Sequence, residues 1–440
     1  MAFILSRNAR LYVSTIDVPD ATADWDATAM TSANTFRIEV LDGFNFPSNT
    51  TVQDITVSEA GATPIRGQQS FTTSIDPVEW SFSSYTRPYA DTTVKAPETV
   101  LWASMADADY TNSLAEGNAG TYGITTGTDI TFNNSNVNQI QKLFLYFDMG
   151  GTWYKVSNAV VDTAEFDFGI DQIAMIAWAG KADAATEISA PTTFTAGTGY
   201  LDMPTAPVAS FLQNKLTVVD VMDNGVIVST TQSDGDSTGG LTFTSAAADF
   251  VTDTVVAGDF LNIVGDGYFQ ITSVTDLNTL ELSTAPASTT GLSFTVVKGY
   301  SLALTGGNLS VTNNITFLTP ESLGVINRPI DHFAGTRGVS GSMTAYLKTG
   351  GSSDTGGLYN QIASDTSTIT QDFRLVFHVG GSRNADTQVE FVIEHAHLVV
   401  PTINVEDVLA LNIDYTALPH NGTAYDLEST NELAITYRHA

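Results

Sequence analysis

The sequence predicts a mainly β protein that uses one β-sandwich module twice, each copy with a short flanking helix, and that carries a small inserted β-barrel or sandwich between the copies. Hydrophobic residues make up 42% of the 440 residues, and Val, Ile, Thr, Phe and Tyr recur in short runs separated by turn residues. Such runs are typical of strands. The order of the runs is the same in the two halves of the chain, and the segment between the halves differs in composition.

The clearest internal match joins two strands that each end in a Gly-Gly turn. Residues 143–151 (LFLYFDMGG) align without gaps with residues 373–381 (FRLVFHVGG). Glycine pairs favour tight turns because positive φ costs them little. Two further matches follow downstream at constant spacing: residues 165–168 with 402–405, and residues 176–178 with 413–415.

The upstream parts of the two halves match more loosely. In both, a short strand segment with Gly three residues after it precedes a strand that ends in Tyr: residues 38–43 match 302–307, and residues 78–85 match 339–346. Each half also contains one predicted helix in the same place, at residues 97–105 and 357–364. The first helix has the better signals, since Pro stands at its start and Glu in its first turn.

Five matched strand segments in the same order, with a predicted helix at the same place in each half, indicate a duplication. The alternative is that alternating Val and Thr give similar patterns in any β protein. With duplication, the sequence predicts a first module at residues 1–207, an inserted domain at residues 208–298 and a second module at residues 299–440.

The predicted insert is acidic and rich in turns. Between residues 216 and 297 there is no Lys or Arg, whereas Asp and Glu recur throughout. Asn-Gly at residues 224–225 and Asp-Gly at residues 266–267 separate short apolar runs, as hairpin turns do. Pro191, Pro204 and Pro207 predict an extended linker before this segment.

Charge and composition exclude several classes of function. The net charge is −31, with 17 Lys and Arg against 48 Asp and Glu, and such a surface repels nucleic-acid phosphates. The chain has no cysteine, which excludes disulfides and thiolate sites. The N-terminal apolar stretch is too short for a signal peptide, and no apolar run is long enough to cross a bilayer. We therefore expect a protein made in the cytoplasm without a membrane stage.

The sequence offers no recognisable catalytic, cofactor or metal site. His395 and His397 would share one face of a strand, but no third ligand follows at metal-site spacing. Asp234 and Asp236 alternate as in a calcium loop, yet the later Gly and acidic ligand are missing, which favours a solvated turn. Phosphate loops, nucleophile elbows and His-Glu-x-x-His motifs are absent from the sequence. We predict no catalytic residue, no cofactor and no metal.

Candidate contact residues lie in the turn-rich stretch GFNFPSNTT at residues 43–51. Phe44, Phe46 and Asn49 are predicted to contact other subunits or other rings, because isolated aromatics in polar loops commonly anchor partners. A buried anchor for the loop itself is an equally good interpretation of the two aromatics.

Several stretches resemble the tail tube proteins of tailed phages. The stretches in the first half are residues 36–46 (FRIEVLDGFNF), 55–61, 66–67 and 76–82 (DPVEWSF), and residues 402–415 of the second half are similar in character. The resemblance extends over both halves and leaves out the insert.

This resemblance implies a fold, an assembly and a location. Proteins of this family fold as β-sandwiches with a flanking helix, and their sheets join edge to edge into stacked rings around a channel for DNA. Two fused modules imply a homotrimer that forms a pseudo-hexameric ring, with the insert projecting outward. The implied partners are other copies of the chain and other tail proteins (tape measure, tail terminator and baseplate), in a virion assembled in the host cytoplasm.

Two further hypotheses compete with a tube subunit that conducts DNA during ejection. The first is an outer virion or cell-surface β-sandwich that binds a host receptor or glycan. The second is a carbohydrate-active enzyme, which the missing site disfavours. A negative lumen that lets DNA pass without adhering is a hypothesis that belongs to the tube interpretation.

Overall fold

The computed structural model describes most of the chain as antiparallel β-structure. It describes residues 9–17, 34–41, 43–56, 68–86, 98–106, 130–131, 140–189, 212–237, 239–287, 290–364, 372–381, 388–405, 408–420, 425–427, 429 and 431–438. This confirms the mainly β fold class. Within these ranges the α-helices are α1, Thr99–Met105, and α2, Thr355–Ser364, one in each half of the chain as expected.

The strands before residue 190 belong to the first half of the chain. They are β1 Ala9–Ser14, β2 Thr35–Ile38, β3 Thr50–Thr56, β4 Gln68–Ile75, β5 Val78–Tyr85, β6 Ile130–Thr131, β7 Leu143–Met149, β8 Thr152–Asp167, β9 Met175–Ala182 and β10 Ala184–Ile188.

The later strands form the insert and the second half. They are β11 Val218–Ser237, β12 Thr242–Thr244, β13 Phe260–Ile263, β14 Gly267–Asp276, β15 Thr279–Leu282, β16 Leu292–Tyr300, β17 Leu304–Thr312, β18 Thr316–Leu318, β19 Asp331–Phe333, β20 Gly338–Tyr346, β21 Phe373–Val379, β22 Gln388–Leu398, β23 Thr402–Asn404, β24 Ala410–Ala417 and β25 Ala434–Arg438.

One row of strands runs through both halves of the chain. Val40 and Asn45 bridge to β5, which pairs with β9, and β9 pairs with the C-terminal part of β8. That part of β8 pairs with β17, which continues the row through β20, β24 and β23. The two halves therefore share a continuous sheet, and β8 and β17 form the junction between them.

A second set of strands packs behind this row in each half. In the first half the order is β2, β1, β7, β8 and β10. In the second half it is β16, β11, β21, β22 and β25. The strand orders correspond position by position, with β11 in the place of β1 and β16 in the place of β2.

The register of the strand ladders also recurs. Leu143 pairs with Ala159 and, after a bulge, Leu145 pairs with Val156. In the second half Phe373 pairs with Ala396 and, after a bulge at the same place, Leu375 pairs with Ile393. A bulge is a specific interruption of a ladder rather than a general property of β-sheets.

The match of residues 176–178 with residues 413–415 is shifted by two residues in the strand ladders. The alignment sets Trp178 against Tyr415. In the ladders, Phe82 pairs with Trp178, and its aligned counterpart Met343 pairs with Ile413. Trp178 therefore corresponds to Ile413. The period of two in a strand makes such a shift invisible to a pattern of alternating residues.

A single hydrophobic core extends across the two halves. Trp102 of α1 contacts Trp178 of the first half at 4.8 Å and Phe391 of the second half at 6.1 Å between ring centroids. Its indole N–H also donates to the Tyr437 hydroxyl at 3.1 Å. The helix of the first half thus covers a core to which the second half contributes.

The insert has a hydrophobic core of its own. Phe243, Phe250 and Phe294 are fully buried in it, and ring centroids of Phe243 and Phe294 are 4.8 Å apart. The strand that enters it, β11, pairs over Val218–Asp223 with β21 of the second half, inside the expected insert boundary at residue 208. Asp223 and Lys298 face each other in the ladder of β11 and β16. The domain boundaries expected from the sequence stay a prediction.

In the part of the chain that the structure describes, neither helix is long and apolar enough to span a bilayer.

Candidate assembly interface

One end of the through-going sheet is the segment that carries the predicted contact residues. The ring of Phe46 stacks on Phe147 at 4.6 Å and lies 5.7 Å from Tyr154, and Phe44 stacks on Phe147 at 5.5 Å. Asn49 is exposed, and its carbonyl accepts the Asp76 N–H at 3.0 Å. The aromatic rings thus fix this segment to its own module, while the subunit contacts assigned to Phe44, Phe46 and Asn49 stay predictions.

A side-chain hydrogen bond holds this end segment to β5, and the same bond recurs in the second half. The Ser81 hydroxyl donates to Asn45 Oδ1 at 3.1 Å, and the two residues also exchange backbone hydrogen bonds. In the second half the Ser342 hydroxyl donates to Asn308 Oδ1 at 2.8 Å, where β17 pairs with β20. The end segment is therefore the counterpart of β17.

The other end of the sheet is β23. Within the described residues β23 pairs only with β24, so its outer edge is open. Ile403 is 46% exposed, and Val405, which directly follows β23, is 80% exposed. Sequence reasoning assigned no contact role to this strand. The signal was present, because an apolar and polar alternation without charge follows Pro401, but three residues are too short to identify an edge.

The junction inside the chain shows how such edges are covered. Phe166 of β8 is 2% exposed, and its ring centroid lies 5.2 Å from that of Phe391. Phe168 is 4% exposed and lies 5.3 Å from Phe377, and its N–H donates to the Gly307 carbonyl at 3.0 Å. Ladder bonds and apolar burial together seal this edge.

Long excursions leave the sheet in both halves between corresponding strands. In the first half β3 and β4 form a largely exposed hairpin, and in the second half β18 and β19 form a short one. The two excursions meet where the Asn327 N–H donates to the Thr73 carbonyl and the Ile75 N–H to the Asn327 carbonyl, at 3.2 and 2.9 Å. Nearby, Leu323 and Val325 are among the most exposed apolar side chains.

A cluster of polar side chains beside β22 is the one group in the described ranges whose potential ligand atoms lie close enough together to hold a metal ion. Ligand atoms of Asp372, His395 and His420 lie within 4.8 Å of one another. His395 Nδ1 is 2.9 Å from Asp372 Oδ1, and the rings of His395 and His420 stack at 3.8 Å. Burial alone would raise the pKa of Asp372, but hydrogen bonds from His395 and Asn224 outweigh it and lower that pKa. His397 is not in the cluster.

The two acids compared with a calcium loop lie in β11 rather than in a turn. Asp234 accepts hydrogen bonds from the Ser245 hydroxyl at 2.6 Å and the Ala247 N–H at 2.8 Å, and the first of these is the main cause of its lowered pKa. Asp236 accepts the Gly291 N–H at 3.0 Å. The two carboxylates therefore bind separate protein groups and fasten strand ends of the insert.

No protein-family model matches the chain. The chain is 25% identical over 433 residues to the tail tube protein pb6 of Escherichia phage T5, a match that covers 97% of this chain and 75% of that protein. The chain is a homologue of a phage tail tube protein. The resemblance drawn from residues 36–46 and 402–415 is thereby confirmed.

The homologue also confirms the class of the protein. A tail tube protein is a structural component of the virion tail and not an enzyme, as the sequence led us to expect.

Proposed function

We propose that the chain is the subunit of a phage tail tube, which assembles into rings that stack into a hollow conduit for DNA. The observation that supports this most directly is the through-going sheet. Its two ends, residues 43–46 and β23, are the counterparts of β17 and β8, the two strands that pair with each other in its middle. A chain whose ends repeat its own internal junction is suited to joining copies head to tail.

Head-to-tail joining produces a closed ring when the rotation between copies closes. The recurrence of strand order, bulge position and the Asn–Ser hydrogen bond in both halves supports duplication of one module. We infer two tube modules in each chain, with residues 224–297 as an insertion in the second. Three copies then supply a pseudo-hexameric ring, and ring closure uses up the open edges that would otherwise aggregate.

Stacking of rings requires contacts along the tube axis, and the excursions are suited to it. The β3–β4 hairpin and the segment around Leu323 and Val325 place exposed apolar side chains away from the sheet. Exposed apolar groups of this kind mark interaction sites. The same surfaces would meet the tape measure, terminator and baseplate proteins at the ends of the tube.

The charge of the chain suits passage of DNA without adhesion. With a net charge of −31, a lumen lined in part by carboxylates repels phosphates over about 8 Å at physiological ionic strength.

Imaging and mass measurement test this function. Purified protein at rising concentration, alone and with extract containing the other tail proteins, is examined by negative-stain microscopy and native mass spectrometry. Rings of three copies and open-ended stacks are expected. Closed particles that never stack would instead favour the receptor-binding hypothesis, and a strictly monomeric protein under all these conditions would contradict the tube.

A further inference from the structure

We propose that neighbouring copies are joined by an antiparallel strand pair in which Asn45 of one copy lies opposite Asn404 of the next, and Phe46 lies opposite Ile403. This inference rests on the proposed tube function and gives the ring a defined contact. The partner is a second copy of the chain, and the contact repeats the register of the junction inside the chain.

The register on one side of the contact follows from the correspondence between residues 45–46 and β17. In the internal junction Asn308 lies opposite Asp167 and Leu309 opposite Phe166. Asn45 corresponds to Asn308, since each is paired with a Ser on the next strand and accepts its hydroxyl hydrogen bond. Phe46 therefore takes the place of Leu309.

The register on the other side of the contact follows from the correspondence between β23 and β8. Glu165 of β8 pairs with Ala177 of β9, and Thr402 of β23 pairs with Asn412 of β24. The spacing from the bulge partner is also equal, because Glu165 follows Ala159 as Thr402 follows Ala396. Ile403 then takes the place of Phe166, and Asn404 that of Asp167.

The hydrogen-bonding groups point the right way for this pairing. Asn45 exchanges backbone bonds with Ser81, and the Asn49 carbonyl accepts a bond from Asp76, so the alternate residue Phe46 presents its backbone to the outside. The backbone of Pro47 has the same orientation as that of Asn45, toward its own module, so the N–H that proline lacks is not needed for the ladder between copies. Pro401 has the outward orientation and cannot donate, so the ladder between copies ends there.

Apolar burial supplies the energy that this short ladder lacks. Ile403 and Val405 are 46% and 80% exposed, whereas their counterparts Phe166 and Phe168 are 2% and 4% exposed against the second half. In the neighbouring copy, the positions that correspond to Phe391 and Phe377 are Tyr154 and Phe147, and Phe46 already contacts both rings. Ile403 and Val405 extend that aromatic cluster across the contact.

Charge also favours this edge over others. Residues 43–51 and 402–405 contain no ionisable side chain, although the chain as a whole is strongly acidic. At the internal junction the corresponding positions of β8 are Glu165 and Asp167. The replacement of both carboxylates by Thr402 and Asn404 lets two acidic molecules approach without repulsion across the ladder.

Disulfide trapping tests the register. Because the chain has no native cysteine, the introduced cysteines can form disulfides only with each other. Asn45 and Asn404 form a pair without mutual hydrogen bonds, whose Cα atoms lie about 4.5 Å apart, within reach of a disulfide. In the double variant Asn45→Cys and Asn404→Cys, oxidation of assembled protein should give covalent dimers and trimers on a non-reducing gel.

Two control pairs define the result. Asp167→Cys with Asn308→Cys should cross-link within one chain and leave it monomeric on the gel. Asn45→Cys with Thr402→Cys is displaced by two residues, about 7 Å along the strand, and should not cross-link. Cross-linking of the displaced pair in preference, or a 45–404 bond within single chains, overturns the proposal.

A charge variant separates failure of this contact from failure of the tube. Ile403→Glu should abolish rings while the monomer keeps its melting temperature, because Ile403 is already half exposed. Val264→Glu, at a 71% exposed position of the insert, should still form rings. Tubes that form with Ile403→Glu would refute the contact and leave the tube function standing, whereas absence of rings in the unaltered protein would refute the function itself.

Discussion

At the scale of single residues, each half of the chain packs an aromatic side chain against a glycine of the neighbouring strand. Trp80 of β5 lies opposite Gly180 of β9, and Gly341 of β20 lies opposite Tyr415 of β24. A Cβ on either glycine would overlap the facing ring. The two halves therefore use the same packing with the partners exchanged between strands, which explains two glycines inside strands where they would otherwise weaken the sheet.

Gly180→Ala should destabilise the protein by about 2 to 3 kcal/mol, because the added methyl overlaps the Trp80 ring and the Val160 carbonyl. Urea unfolding followed by tryptophan fluorescence measures the loss. Gly306→Ala is the matched control, since the nearest atom to its added Cβ, Gly169 Cα, is 3.6 Å away. Equal losses in the two variants would contradict the packing argument.

His332 makes stability depend on pH. Its side chain is fully buried beside Phe317, with ring centroids 5.6 Å apart. Burial is the main cause of its lowered pKa, the charge of Lys142 adds to it, and Asp331 opposes it. The unfolded chain therefore binds a proton at a higher pH than the folded chain does, and stability is lost as pH falls below about 6.5.

His332→Phe should remove this contribution and fit beside Phe317. Urea midpoints of the variant and the unaltered protein are compared at pH 7.5 and pH 5. The difference between the two proteins should shift in favour of the variant at the lower pH. Identical shifts would show that carboxylates alone determine the acid sensitivity.

At the scale of elements, the proposed insert continues the hairpin of β11 and β16. β11 pairs with β16, for example at Val221 and Tyr300, as β1 pairs with β2 in the first half. Both β11 and β16 then extend past the ladder pair of Asp223 and Lys298. The insert is anchored by the Lys298 ammonium, 3.0 Å from buried Asp259. It is also anchored by Tyr268, whose ring lies under the Arg374 guanidinium at 4.4 Å.

Replacing residues 224–297 by an Asn-Gly turn should leave a folded protein that still forms rings, because Asp223 and Lys298 are already ladder partners. Loss of the packing of Phe260 on Met222 should cost about 2 to 4 kcal/mol. Circular dichroism, thermal melting and microscopy measure fold, stability and assembly.

A longer deletion provides the comparison. Removing residues 208–298 also removes Val219 and Val221, which are buried in the common core, and the strand that pairs with β21. This variant should be insoluble. Soluble, ring-forming protein from the longer deletion would restore the boundary expected from the sequence, and insoluble protein from the shorter one would make the insert part of the common fold.

At the scale of the whole molecule, the sequence alone determined the fold class, the order of elements and the likeness to tail tube proteins. Strand composition, Gly-Gly turns and the matched segments at residues 143–151 and 373–381 carry that information locally. It could also select the stretch around Phe44 and Phe46, because aromatics in a turn-rich segment are conspicuous. It could not identify β23 as an edge of the sheet, although residues 402–405 match residues 165–168, because an edge position depends on which strands pair.

Only the tertiary structure decided how the two halves are connected. The β8–β17 pair, the placement of Val218–Asp223 in the second half and the two-residue shift of β24 all depend on which strands meet. A strand pattern has a period of two and is the same for every even register, so it contains no information about partners. Long-range hydrogen bonds and the shared core select one register. With that register, the two end strands of the sheet correspond to β17 and β8, the two strands that pair in its middle.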